Sequence, residues 1–165
     1  FPCVMDVSVR RPWGEKNATL TPLLRRAVAF ALLHGRAAGY LGEDGAVFTA
    51  PPGVFSFFGP AVEVAGASED ELKALARDWS VLSAPGAFPA PLTVLAYLSA
   101  AEGWQARLAD GTTVLWGRLD WTKEKIARLS EALNDAHARE PGVFTADLRF
   151  FEDGKVLLRP RGGVR

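Results

Sequence analysis

From Trp104 the chain alternates apolar and polar residues as far as Leu108, turns at Asp110-Gly111, and alternates back from Thr112 to Trp116. A period of two is what a half-buried strand requires, and Asp-Gly tolerates the positive φ angles of a tight turn. The segment therefore predicts an antiparallel hairpin. A lone hairpin is marginal in water, so the rest of the chain must supply strands or helices to cover its apolar face.

Two segments supply helices. Ser68-Glu69-Asp70-Glu71 reads as a capping box: Ser68 accepts from a backbone amide, Glu71 reaches back, and the acidic first turn suits the helix dipole. Leu72, Leu75, Ala76 and Trp79 follow at helical spacing, which predicts a helix to about Leu82, before Pro85-Gly86. The second helix is expected from Thr122 to about Arg139, with Thr122 as N-cap and Trp121 and Ile126 as a hydrophobic staple. Ile126, Leu129, Leu133 and Ala136 line one face, and Pro141-Gly142 ends it.

Further strands are expected at Val4 to Val9, at Ala46 to Phe48 after the Glu43-Asp44-Gly45 turn, and at Phe144 to Phe150. A last strand over Lys155 to Arg159 follows the turn at Glu152-Asp153-Gly154. Leu92 to Ser99 fits either a strand or a short helix. Residues 21–41 also carry two readings. Thr21-Pro22 and Gly35 suit a helix start and stop, and the Ala, Leu and Arg content agrees. Alternatively Ala27–Leu33 and Ala37–Leu41 form a hairpin about His34-Gly35. Phe55, Phe57 and Phe58 are expected to pack into the core beneath a Gly/Pro-flanked loop.

Composition narrows the function. The chain has 165 residues, 48 % of them hydrophobic, and no net charge. That length suits one domain, or one with part of a neighbour, and the apolar content supports a core. A neutral chain is a poor candidate for nucleic-acid binding, since phosphate contacts demand a basic excess; Arg161-Gly162-Gly163 alone does not change this. A base-stacking face on Trp104 and Trp116 with nearby arginines would be needed for that alternative. Cys3 is the only cysteine, so no intrachain disulfide and no cysteine-based zinc site is expected. His34 and His137 lack partners at metal or triad spacing, and no nucleotide or nucleophile-elbow motif is present. The carboxylates cluster where turns and caps want acids. The expectation is no enzyme activity, no cofactor, no metal and no small-molecule substrate. A small carboxylate-based enzyme is kept as the lesser alternative. No apolar run reaches the roughly 20 residues of a membrane helix.

The order of these elements carries a resemblance. Trp104-Gln-Ala-Arg-Leu-Ala-Asp-Gly-Thr-Thr-Val-Leu-Trp-Gly-Arg118 is similar to the Trp-led hairpin of the FtsQ/DivIB cell-division family, ending in the Trp116-Gly117 pair. Lys125-Ile126-Ala127-Arg128-Leu129 resembles the start of the helix that follows, and Asp147-Leu148-Arg149-Phe150 the family's Asp-Leu-Arg-aromatic strand. Tyr40 to Phe48 resembles its Val-Asp-x-x-Gly-x-x-Phe stretch. Val9-Arg10-Arg11-Pro12 resembles the strand that closes the preceding POTRA subdomain.

The resemblance implies an α+β fold: an antiparallel or mixed sheet with about two helices packed on it. Residues 1–13 would be the closing POTRA strand, 14–160 the β-domain and 161–165 a flexible tail. It favours the hairpin over the helix at 21–41. It also implies a single-pass inner-membrane protein, anchored upstream of Phe1, whose extracytoplasmic β-domain binds FtsB/FtsL-like division proteins. The alternative to a division protein is another POTRA-linked envelope assembly or secretion protein, which would share the architecture but bind a different strand. A last strand leaves one row of backbone groups free for a partner strand. The expected partner site is therefore Lys155, Val156, Leu157, Leu158 and Arg159, with Phe150 and Phe151 as aromatic anchors. Leu157→Pro is the expected variant to remove an edge donor.

Overall fold

A computed structural model describes residues 2–14 and 16–161. Eleven strands and two helices follow in the order β1 (Val4–Arg10), β2 (Thr19–Leu24), β3 (Ala27–Leu33), β4 (Arg36–Gly42), β5 (Val47–Phe48), β6 (Ala61–Glu63), α1 (Glu69–Leu82), β7 (Leu92–Ser99), β8 (Gly103–Leu108), β9 (Thr113–Gly117), α2 (Thr122–Arg139), β10 (Phe144–Asp147) and β11 (Leu157–Pro160) among the described residues. A short 3-10 turn, Phe151–Asp153, lies between the last two strands.

Nine strands form one mixed sheet in the order β11-β10-β9-β8-β7-β6-β3-β4-β5. β6 and β7 are parallel, with α1 between them in the chain; β9 and β10 are parallel, with α2 between them. Such crossovers are right-handed almost without exception. Both step in the same direction along the sheet, and β7 and β9 run the same way because β8 opposes each. The handedness rule therefore places both helices on one face. The core agrees: Leu75, Trp79 and Leu82 of α1 and Leu129 and Leu133 of α2 share it with Leu95, Trp104, Val114, Trp116 and Ala146 from the sheet.

The hairpin reading of residues 21–41 holds, and the helix reading fails. Ala27–Leu33 is an inner strand between β4 and β6, and Ala29 and Ala31 are fully buried. Leu92–Ser99 is likewise a strand. The capping box forms as expected, with Glu71 N donating to Ser68 Oγ at 3.3 Å and Ser68 N to Glu71 Oε2 at 2.7 Å.

Four local expectations need correction. Thr122 is the first helical residue and not the cap. The cap position is Trp121, in the left-handed region at φ 61° and without a side-chain cap bond. Thr122 Oγ1 donates instead to Asp78 of α1 at 2.7 Å, tying the helices together. Trp121 is 58 % exposed, so the expected burial of its ring in a staple does not occur. Phe58 is 98 % exposed; only Phe55 and Phe57 pack, against Tyr40 and Phe48. The Phe144 strand ends at Asp147, because Asp147 accepts from the Arg149 amide and side chain at 3.1, 3.0 and 2.7 Å and turns the chain out of the ladder.

β1 and β2 form a separate two-stranded ribbon. It meets the large sheet at Arg25, whose backbone N–H donates to Cys3 O at 2.8 Å and whose guanidinium pairs with Asp44. Of the expected tail, Arg161 donates its backbone N–H to Val143 O at 2.7 Å, and residues 162–165 lie outside the described residues.

Tyr97 of β7 donates its hydroxyl to Glu71, so the N3 residue of α1 is also fixed to the sheet. Burial works against the Glu71 charge, but the bonds from Tyr97 and from the Ser68 amide and hydroxyl outweigh it and hold the carboxyl below its ordinary range. A carboxylate held low contributes its stability above its unfolded pKa and loses it as pH falls through the folded one. Tyr97→Phe is expected to cost about 1.5 kcal/mol at pH 7, the worth of a hydrogen bond to a charged group. The cost shrinks at an acid pH low enough for the folded-state carboxyl to take up its proton. Urea unfolding at the two pH values checks both; an equal cost at each rules out the charged bond as its source.

Candidate functional site

β11 is the terminal strand of the large sheet. It pairs antiparallel with β10, Phe144 opposite Pro160, Thr145 opposite Arg159, Ala146 opposite Leu158 and Asp147 opposite Leu157. Among the described residues no strand lies on its other side. It begins at Leu157, so Lys155 and Val156 lead into the strand and are not part of it.

Alternation divides the seven expected site residues. Val156, Leu158 and Phe151 pack on the core. Phe150 (68 % exposed) and Leu157 (50 %) face solvent, as do Lys155 and Arg159. Lys155 pairs with Asp153 at 3.3 Å, and the Arg149 guanidinium lies 6.0 Å from the centre of the Phe150 ring. Val156 and Leu158 also border a shallow groove along α2, where Ala132 and Ala136 leave room and the pairs Arg128–Glu131 and Arg139–Asp135 form the rim. This groove depends on how α2 lies over the last strands, and no pattern within either segment announces it.

The register fixes which backbone groups point outward. In an antiparallel ladder, hydrogen-bonded and non-hydrogen-bonded pairs alternate. The Arg161 N–H donates to Val143 O, so residues 161, 159 and 157 turn their groups toward β10. Leu148 N–H donates to Leu115 O of β9, which agrees: the even-numbered residues of β10 face the other way. The outward groups of β11 are therefore those of Leu158 and Pro160. Leu157→Pro would break the β10–β11 ladder and leave the outer edge intact; Leu158 carries the outward N–H.

The remaining candidates have structural roles. His34 occupies the β3–β4 turn at φ 52°, and its backbone N–H donates to Glu63 Oε1 at 2.8 Å. The His137 ring lies 3.2 Å from Gly142 O and stands edge-on to Phe144. Trp104 and Trp116 are buried, so neither offers a face to a nucleic-acid base. Among the described residues no three His, Cys, Asp or Glu side chains gather at metal-binding distance, and no helix is long and apolar enough to cross a membrane.

An open mixed sheet with both helices on one face and a free terminal strand defines this chain as an edge-exposed α+β domain. The family model described as Cell division protein FtsQ/DivIB, C-terminal, matches residues 31–149, from within β3 to just past β10. The chain belongs to the FtsQ/DivIB family of cell-division proteins. β11 lies beyond the matched stretch. No curated protein matches the chain by sequence.

Proposed function

We propose that this chain is a non-enzymatic adaptor of the division machinery that binds an extended segment of an FtsB/FtsL-like protein along the outer edge of β11. The carrying observation is a terminal strand whose outer side is unpaired among the described residues, in a cell-division family member. Backbone groups give such an edge affinity for any extended chain, and side chains on alternating faces give it selectivity. Leu157 and Arg159 would meet the partner on the open face of the sheet. Val156 and Leu158 would meet it on the helix side, above the groove along α2, with Phe150 and Phe151 flanking the entry and Lys155 at its start.

The domain would act outside the cytoplasmic membrane, anchored by a span upstream of Phe1. Residues 1–13 would close a POTRA subdomain together with β2, which pairs with β1 and not with the large sheet, leaving the rest of the chain to residue 160 as the β-domain. The exposed apolar side chains of Met5, Val7 and Val9 on the ribbon support a neighbouring subdomain there, and the pairing of β1 with β2 favours a join near Arg25.

Leu158→Pro tests the site. It removes the outward N–H and leaves the bonds to β10 in place. Binding to the extracytoplasmic FtsB/FtsL-like complex is expected to weaken by about tenfold or more, as loss of a backbone bond together with distortion of the pairing requires. Leu158→Ala keeps the N–H and controls for lost side-chain packing. A folded Leu158→Pro variant that binds like the unmodified protein would refute the edge as the site.

A further inference from the structure

Pro160 lies inside the β10–β11 ladder and not beyond it. The register continues past it to the Arg161 N–H bond with Val143 O, and Phe144 stands opposite Pro160 as a non-hydrogen-bonded pair. The proline nitrogen therefore points away from β10, toward the free side. That is where proline is tolerated in a strand, since the ladder it belongs to needs no donor from it. The free side, however, loses one. Along β11, Leu158 presents an N–H and a carbonyl outward, and Pro160 presents a carbonyl alone.

We infer that Pro160 sets the length and register of the partner strand: pairing runs through Leu158, and the partner is left with an unmatched acceptor opposite Pro160. This rests on the adaptor reading above. The consequence holds for either strand direction. An antiparallel partner reaches the Pro160 carbonyl with an N–H, but its own carbonyl at that rung finds no donor. A parallel partner loses the same bond from a carbonyl bracketed between the two residues. The segment that fits is short and extended. It places an apolar side chain beside Leu158 over the α2 groove and leaves β geometry at Pro160, or offers there a residue whose carbonyl turns to water. The same missing donor discourages a second copy of this chain, or any long strand, from zippering along the edge, as prolines on sheet edges do elsewhere.

Pro160→Val restores the N–H and supplies a direct reporter, because residue 160 then has an exchangeable amide. In this chain alone that amide should exchange rapidly with solvent. With the extracytoplasmic FtsB/FtsL-like complex bound, it should be protected alongside that of Leu158. Affinity should rise about two- to tenfold, the worth of one added backbone hydrogen bond. Pro160→Thr should behave alike, which separates the amide from the side chain. Protection of the new amide in the free chain would mean that it faces β10, and the inference fails on its register. Binding that protects Leu158 while amide 160 stays open and affinity is unchanged would overturn the inference and leave the edge site standing. Binding that protects neither amide would overturn the adaptor site itself.

Discussion

Gly103→Ala is expected to destabilise the domain by about 2–5 kcal/mol. Gly103 opens β8 at φ 69°, a left-handed conformation that a side chain makes unfavourable by about 1–2 kcal/mol. A Cβ there would run into the Gly117 carbonyl oxygen and lie 2.9 Å from its Cα. Both are backbone atoms of the facing strand and cannot rotate aside. The strand itself is held from behind: Gly117 is also left-handed, at φ 75°, and its own missing Cβ would stand 3.1 Å from Arg149 Cα. Relieving the first contact therefore pushes β9 toward the segment that follows β10, and overpacking of this kind adds about 1–3 kcal/mol. For a chain of this length the sum lowers the melting temperature by about 5–20 °C. Gly142→Ala is the control, since its φ is ordinary and no atom lies within 4 Å of the added carbon. A Gly103→Ala variant that melts within about 2 °C of the parent shows that the strands separate freely and that the glycine pair is not a constraint.

Gly117 also shows how far sequence reasoning reaches. The Trp116-Gly117 pair carries part of the family resemblance, but sequence offers no reason for the glycine. The reason is a close approach of three segments far apart in the chain, which no local pattern encodes. Features closed within a few residues were readable: the Asp110-Gly111 turn, where Asp110 accepts from Thr112 N–H at 2.8 Å and Gly111 takes φ 89°, and the Ser68/Glu71 box. Ala27–Leu33 shows the opposite case. Its alanines favour a helix locally, yet they lie in an inner strand flanked on both sides and packed near α1. Burial between strands outweighs propensities of a few tenths of a kcal/mol per residue. Trp121 departs from the expected staple because its backbone takes a left-handed turn for which Trp has no intrinsic preference. The site divides in the same way. That a final strand forms is legible in its alternation after the Glu152-Asp153-Gly154 turn; that it lies at the edge is set by the sheet order. The outward aim of Leu158 and Pro160, and the groove beside them, follow from register and helix placement, which are tertiary facts.

Lys125 should make the protein more stable as pH rises from 7.5 to 10, against the usual trend for a lysine that gains a partner. Its side chain is only 3 % exposed in the first turn of α2. Nζ donates to Trp116 O at 3.0 Å and Arg118 O at 2.7 Å and stands 5.5 Å from the Trp116 ring centre. Carbonyl dipoles and a ring face only partly replace lost hydration. Burial lowers the ammonium from 10.5 to about 8, opposed by Asp120 and assisted by Arg118. Below pH 8 the lysine is charged in both states and the folded protein bears the full penalty. Above pH 8 the folded state releases its proton while the unfolded chain, titrating near 10.4, keeps it, so the unfolded state binds more protons and stability rises. The gain between pH 7.5 and 10 is about 2 kcal/mol. Tyr97 works the other way: its bond to Glu71 pushes it up to about 12. The folded state thus keeps the phenol proton after the unfolded chain has lost it, which lowers stability above pH 10 and sets the upper limit of the window. Lys125→Met fills similar space without a titrating group, although it leaves two strand-end carbonyls without their donor. Its stability should be nearly flat over the same range, so urea unfolding of the two proteins should diverge steadily as pH rises. Parallel curves would show that the ammonium keeps its ordinary affinity for the proton. The end of β9 would then be wetter than its burial indicates.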